Sequence, residues 1–207
     1  MDFTNRLKGK ITQGLFECLL EDVHYRVVPL GIEEIVREVK AIPVDKYSNL
    51  GLSKTLRSLP DFFVSLPDLS ENYLVEVKYR KAWNNEVQSK LGPKLFDQVK
   101  QWGPIFLVLF LGEPARENKT PASYLGVCKL IEKDSSLCIV KKKVVNDKSY
   151  DDLGPSVYED EFIKWEDITW NSFSRFQCIF DKVSSRWDSS TLLKATQQLK
   201  LLSETDE

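Results

Sequence analysis

Seven consecutive apolar residues, Ile105 to Leu111, follow Gly103-Pro104 and offer no polar face to water. A run of this length and composition fits a strand covered on both faces, the kind found inside a sheet with helices packed on it. The segment before it, Asn84 to Trp102, reads as a helix that stops at Gly103-Pro104. Two further strand-like runs, Tyr124 to Ile131 and Leu137 to Val145, flank a Glu-Lys-Asp-Ser-Ser turn and follow a loop over 114–123. The pattern predicts an α/β chain with a mixed central β-sheet flanked by helices. With 207 residues, 42% hydrophobic composition and no low-complexity tract, the chain can bury a full core.

The stretch from Ser58 to Arg80 adds a hairpin and the candidate chemistry. Two strand-like runs, Asp61 to Leu66 and Tyr73 to Tyr79, flank a turn rich in Pro, Asp, Ser and Asn. Successive strand residues face opposite ways, so Val75 and Val77 look inward while Glu76 and Lys78 share the other side. An antiparallel register placing Asp61 opposite Glu76 or Lys78 brings the side chains to roughly 5 Å at Cβ. A slip of one residue would send Asp61 to the valine side, and the turn alone does not decide between them. In the first case two carboxylates can share a cation. Magnesium accepts a few carboxylate oxygens and keeps several waters, a demand that two carboxylates and one carbonyl can meet. Lys78 then stands where an ammonium can orient water or meet charge developing on a phosphate. The plainer alternative is an amphipathic hairpin whose polar face is simply wet.

Pro60-Asp61 followed by Glu76-Val77-Lys78 resembles the PD-(D/E)XK nuclease superfamily, near its RecB-like and Holliday-resolvase-like branches. The resemblance covers about the first 115 residues. It implies a restriction-endonuclease-like fold, Mg2+ or Mn2+ held by Asp61, Glu76 and the Val77 carbonyl, and Lys78 beside the attacking water. Such nucleases usually place a helix with an acidic residue ahead of the first core strand. Ile11 to Asp22 fits that helix, with an apolar stripe of Ile11, Leu15, Cys18 and Leu19 and with Gln13, Glu17 and Glu21 opposite. Glu17 is the acid expected at the metal, with Gln13 left open as a departure from the usual residue. Tyr25 to Gly31 reads as the first strand, and Ile32 to Lys40 as a short helix or insertion that exposes Glu33 and Glu34. Gln98 and Trp102 resemble the glutamine and aromatic pair of the RecB-like branch; otherwise they are a solvated glutamine and a core tryptophan.

Around this hairpin Lys78, Arg80, Lys81, Lys90, Lys94 and Lys100 outnumber Glu86 and Asp97, the balance a phosphate-tracking surface requires. Gln98, Arg80, Lys81 and Lys94 are the residues expected to contact nucleic acid. Such contacts position a backbone without reading its sequence. Trp83 stacks on a base or packs in the core.

Other chemistries find little support. His24 is the only histidine, which leaves no multi-histidine metal centre and no HNH site, and Ser-His-Asp catalysis only if His24 carries it. Neither a GxxxxGK loop nor a GxGxxG turn is present. Cys18, Cys128, Cys138 and Cys178 lack zinc-ligand spacing and read as buried, reduced thiols. No apolar run is long enough to cross a membrane and the first ten residues are too polar for a signal peptide, so a cytoplasmic protein is expected.

Residues 1–150 are read as the nuclease-like core with its added hairpin. Residues 151–207 are read as an acidic, aromatic-rich helical extension packing on that core. The acidic stretch Asp151 to Asp167 explains how a basic site coexists with a net charge of -2. Lys141, Lys142 and Lys143 guard an exposed sheet edge or touch phosphate, with the edge preferred. Trp165, Trp170, Phe173, Phe176, Phe180 and Trp187 read as packing rather than a base-stacking platform. A final helix, Ser190 to Leu202, docks on the domain or on a partner, either a second copy or another protein. The expected activity is metal-dependent hydrolysis of phosphodiester bonds, in DNA by preference over RNA. The alternative is a catalytically silent protein of the same fold that binds nucleic acid or a protein partner.

Overall fold

A computed structural model describes residues 3–31, 53–144 and 158–183, together with Ala195. Helix α1 spans Phe3–Glu21 and leads into strand β1, Arg26–Pro29. His24 closes the helix in the left-handed region, at φ 69°, and its N–H donates to the Glu21 carbonyl. A single turn, α2 (Lys54–Arg57), precedes the hairpin of β2 (Phe62–Ser65) and β3 (Asn72–Arg80). Helix α3 (Asn85–Trp102) leads to β4 (Ile105–Leu111), the short α4 (Pro121–Tyr124) to β5 (Leu125–Lys133), and β6 (Ser136–Val144) and β7 (Tyr158–Lys164) follow. Three single 3-10 turns follow, at Trp165–Asp167, Trp170–Ser172 and Phe176–Cys178.

Among the described residues the strands form one seven-stranded mixed sheet in chain order. Only β3 and β4 run parallel, joined by α3; every other neighbouring pair is antiparallel. The chain is therefore α/β. Strand β4 is covered on both faces as its composition demands. Val108 and Phe110 join α1 and the Phe176–Phe180 segment on one side, whereas Leu107 and Leu109 meet α3 and Trp165 on the other.

Local chemistry explains the boundaries. The Asn84 side chain accepts from the Val87 N–H and opens α3. Gly103 ends it at φ 78°, ψ -153°, a region essentially restricted to glycine. Asp134 and Ser135 both have positive φ and make the two-residue turn between β5 and β6, since Lys133 pairs with Ser136.

Several expectations need correction. Helix α1 starts at Phe3 rather than Ile11; its buried residues are Lys8, Thr12, Phe16, Leu19 and Leu20, with Val23 buried just past its end. Ile11 and Cys18 face solvent, because the helix rolls to seat Phe16 against Phe62, Phe176 and Phe180. Of the cysteines only Cys128 and Cys138 are buried; Cys18 and Cys178 are exposed, and all four are free thiols. Lys141, Lys142 and Lys143 lie in an interior strand, where they pair with Glu161, Asp160 and Glu159 of β7. Tyr158–Lys164 of the acidic stretch is thus a strand of the same sheet, with Lys141 and Lys142 opposite Glu161 and Asp160 in its ladder. The described part of 151–207 begins with strand β7 and three 3-10 turns, with helical backbone at Lys182, Val183 and Ala195.

Trp165, Trp170, Phe173, Phe176 and Phe180 are all buried, and Trp83 packs against the first three rather than facing a ligand. The short helix or insertion expected at Ile32 to Lys40, with Glu33 and Glu34, lies outside the described residues, as does Trp187. So does the final helix at Ser190 to Leu202 apart from Ala195, which is helical and packs against the α1 side of the core. No helix among the described residues is long and apolar enough to cross a membrane.

Candidate active site

The hairpin register settles where the acids point. Phe62 pairs with Val75 and Phe63 with Leu74, so one step further along the ladder Asp61 falls opposite Glu76. Val75 and Val77 enter the α1 core, and Glu76, Lys78 and Arg80 share the opposite face of β3.

The two carboxylates are held before any ligand arrives. Asp61 Oδ2 accepts from the Val77 backbone N–H at 2.8 Å, and Asp61 Oδ1 accepts from Gln13 Nε2 of α1 at 2.9 Å. Glu76 is 6% exposed, and its Oε2 accepts from Gln98 Nε2 of α3 at 2.8 Å. The same amide reaches the Leu59 carbonyl at 3.4 Å. Helices on the two faces of the sheet thus each supply one glutamine to one carboxylate.

Lys78 completes the group. Its Nζ lies 3.4 Å from Asp61 Oδ2 and 3.3 Å from the Val77 carbonyl oxygen, and it is ion-paired with Glu76 Oε1. Burial pushes the Glu76 carboxyl above the ordinary carboxylate range, Lys78 opposes this, and Asp61 adds to it. Burial alone would lower the Lys78 ammonium, but Glu76 and Asp61 outweigh it and hold the group above the usual lysine value.

These side chains open into a cleft of about 470 Å³ between β3, α2 and α3. Arg57, Arg80, Lys90 and Lys94 line it along with Lys78, against Asp61, Glu76 and Asp97. Arg80 Nη1 donates to the Tyr79 carbonyl at 2.6 Å, and burial lowers its guanidinium below the ordinary arginine value, with Glu76 opposing. Lys81 does not belong to this cleft: its Nζ lies 3.7 Å from Glu113 Oε1 on an exposed surface. The reason is strand alternation, since Lys81 follows the end of β3 one residue out of phase with Lys78 and Arg80. Lys100 lies over the Phe96 ring, also away from it.

Glu17 and Gln13 line a second, smaller cavity of about 220 Å³ on the other side of Asp61, with Lys10. The hydrogen bond to Asp61 comes from Gln13, one turn before Glu17. Gln98 is buried against Glu76, and Trp102 donates from Nε1 to Ser58 Oγ at 3.3 Å. Among the charged cleft residues, Lys90 and Asp97 enter the sequence reading only through the charge balance, and Arg57 does not enter it at all. The signal for Arg57 was only its place four residues before Asp61.

No group of three or more His, Cys, Asp or Glu side chains placed to hold a metal occurs among the described residues. The donor set here is different: two carboxylates and one carbonyl already surround a positive charge, the Lys78 ammonium. All three donors are oxygen, which suits a hard divalent cation.

Compared with known proteins, the chain matches no family model, no curated protein and no solved structure.

Proposed function

We propose that the protein is a metal-dependent nuclease of PD-(D/E)XK type that hydrolyses phosphodiester bonds in DNA. The observation that carries this reading is the convergence of Asp61, Glu76, the Val77 carbonyl and Lys78 in one basic cleft. The order helix, strand, hairpin, helix, parallel strand agrees with the core that the resemblance implies.

In this reading Asp61, Glu76 and the Val77 carbonyl hold Mg2+ or Mn2+. Such an ion, when bound, acidifies water and withdraws charge from a phosphate oxygen. The chain does the rest. Gln13 and Gln98 keep the two carboxylates turned toward the cleft. Arg57, Arg80, Lys90 and Lys94 bind the phosphates that flank the scissile one, as paired and single cationic donors. Lys78, on a four-carbon stem at the cleft floor, meets the negative charge that builds up on the phosphorus substituents as water adds. The water oxygen bonds to phosphorus as one P–O ester bond breaks, and the proton the water loses is matched by one taken up from solvent by the leaving oxygen.

The test incubates wild type, Asp61→Ala, Glu76→Ala and Lys78→Ala with supercoiled, linear, branched and single-stranded DNA and with RNA, each with magnesium or EDTA. Cleavage by wild type that is lost in all three variants and in EDTA is the expected result. Cleavage that survives in the variants would place the chemistry elsewhere. No cleavage of any substrate by wild type would favour a silent nucleic-acid or protein-binding domain.

A further inference from the structure

Resting on the divalent-cation reading, we propose that Lys78 is the site's exchangeable counter-ion: its ammonium holds the cation position until a divalent ion displaces it into the cleft. The ammonium touches the three oxygens assigned to the metal, 3.3 Å from the Val77 carbonyl, 3.4 Å from Asp61 Oδ2 and ion-paired with Glu76 Oε1. A divalent ion bound by those oxygens and an ammonium among them would repel each other at close range. One has to leave.

Three features make the lysine the one that can. The oxygens are positioned without it, Asp61 by Gln13 and the Val77 N–H and Glu76 by Gln98, so they stay in place when the ammonium departs. The Lys78 side chain is 27% exposed and lines the cleft, which gives it a route out. Its stem is flexible and its head is a compact charge, unlike a guanidinium fixed in a planar fork. The destination is the cleft in which Arg80, Lys90 and Lys94 stand, where a nucleic-acid phosphate would receive it. Lysine therefore acts twice: it neutralises two neighbouring carboxylates in the resting protein, and ion binding delivers it toward substrate.

The consequence is a lysine that weakens metal affinity at the site it completes. Lys78→Met should bind Mn2+ at least about tenfold more tightly than wild type by calorimetry, a gain of about 1.4 kcal/mol. Asp61→Asn should lose binding. In wild type, saturating Ca2+ should raise the acylation rate of the Lys78 amine by acetic anhydride, read by mass spectrometry against the exposed Lys119. Equal or weaker Mn2+ binding by folded Lys78→Met overturns the exchange, as does acylation unchanged by Ca2+. In either case binding by wild type that Asp61→Asn abolishes leaves the divalent-cation reading intact. If neither wild type nor Lys78→Met binds Mn2+, that reading falls and the exchange falls with it. Should Lys78→Met fail to fold, the acylation of wild type decides alone.

Discussion

Gln98 of α3 donates to Glu76 of β3 at 2.8 Å, across the parallel β3–α3–β4 unit. The amide is buried and fixes which way a buried carboxylate turns. Groups that orient a ligand in this manner affect affinity without touching the ion. Gln98→Ala should lower Mn2+ affinity and cleavage by about 10- to 100-fold while the protein remains folded. Calorimetry and circular dichroism on the same sample check this; unchanged affinity would remove Gln98 from the site.

On the other face, Gln13 donates to Asp61, and Glu17 lines the adjoining cavity. Gln13→Ala should therefore weaken metal binding more than Glu17→Ala does. Titration of both variants with Mn2+ ranks them, and the reverse order would make Glu17 the residue that faces the ion.

The cationic lining makes a prediction that separates Lys94 from Lys81. Removing one cation that neutralises a phosphate makes the slope of log affinity against log salt shallower by about 1. Lys94→Ala should show that reduction with duplex DNA in Ca2+, and Lys81→Ala, paired with Glu113 outside the cleft, should match wild type. Fluorescence anisotropy over a salt series measures both.

Two tyrosines tie the α1–β1 turn and the hairpin to nearby acids. The Tyr25 hydroxyl donates to Asp181 Oδ1 at 3.2 Å, and the Tyr73 hydroxyl donates to Glu71. Burial and these carboxylates raise both phenols above the ordinary tyrosine value of about 10. The folded state thus keeps its protons longer than the unfolded one. The stability this contributes is complete below about pH 10 and is lost as pH climbs toward the folded values. Thermal melts should fall steeply above about pH 10 in wild type and less steeply in Tyr25→Phe and Tyr73→Phe. In an absorbance titration these two of the seven tyrosines should ionise only with unfolding.

Packing between α3 and the first 3-10 turn gives a stability test remote from the chemistry. A Cβ at Gly92 would lie 2.8 Å from Trp165 Nε1, and that indole is pinned by its bond to the Gln88 carbonyl at 2.9 Å. Gly92→Ala should destabilise by about 1–3 kcal/mol in chemical denaturation. Gly9→Ala, whose Cβ meets nothing within 4 Å among the described residues, should stabilise by about 0.5–1 kcal/mol.

Much of this protein was written in local pattern. The ends of α3 follow from Asn84 and Gly103, β4 follows from an unbroken apolar run, and the alternation through β3 puts Glu76 and Lys78 opposite the valines. Those features depend on neighbours a few residues apart, where backbone sterics and side-chain period act directly. Tertiary structure alone decided the rest. It selected the hairpin register that sets Asp61 across from Glu76, rolled α1 onto Phe16 so that Gln13 meets Asp61, and made a strand of Tyr158–Lys164 by pairing it with β6. The physical reason is common to all three: each choice is made by a partner far along the chain, whose approach no short window of sequence contains.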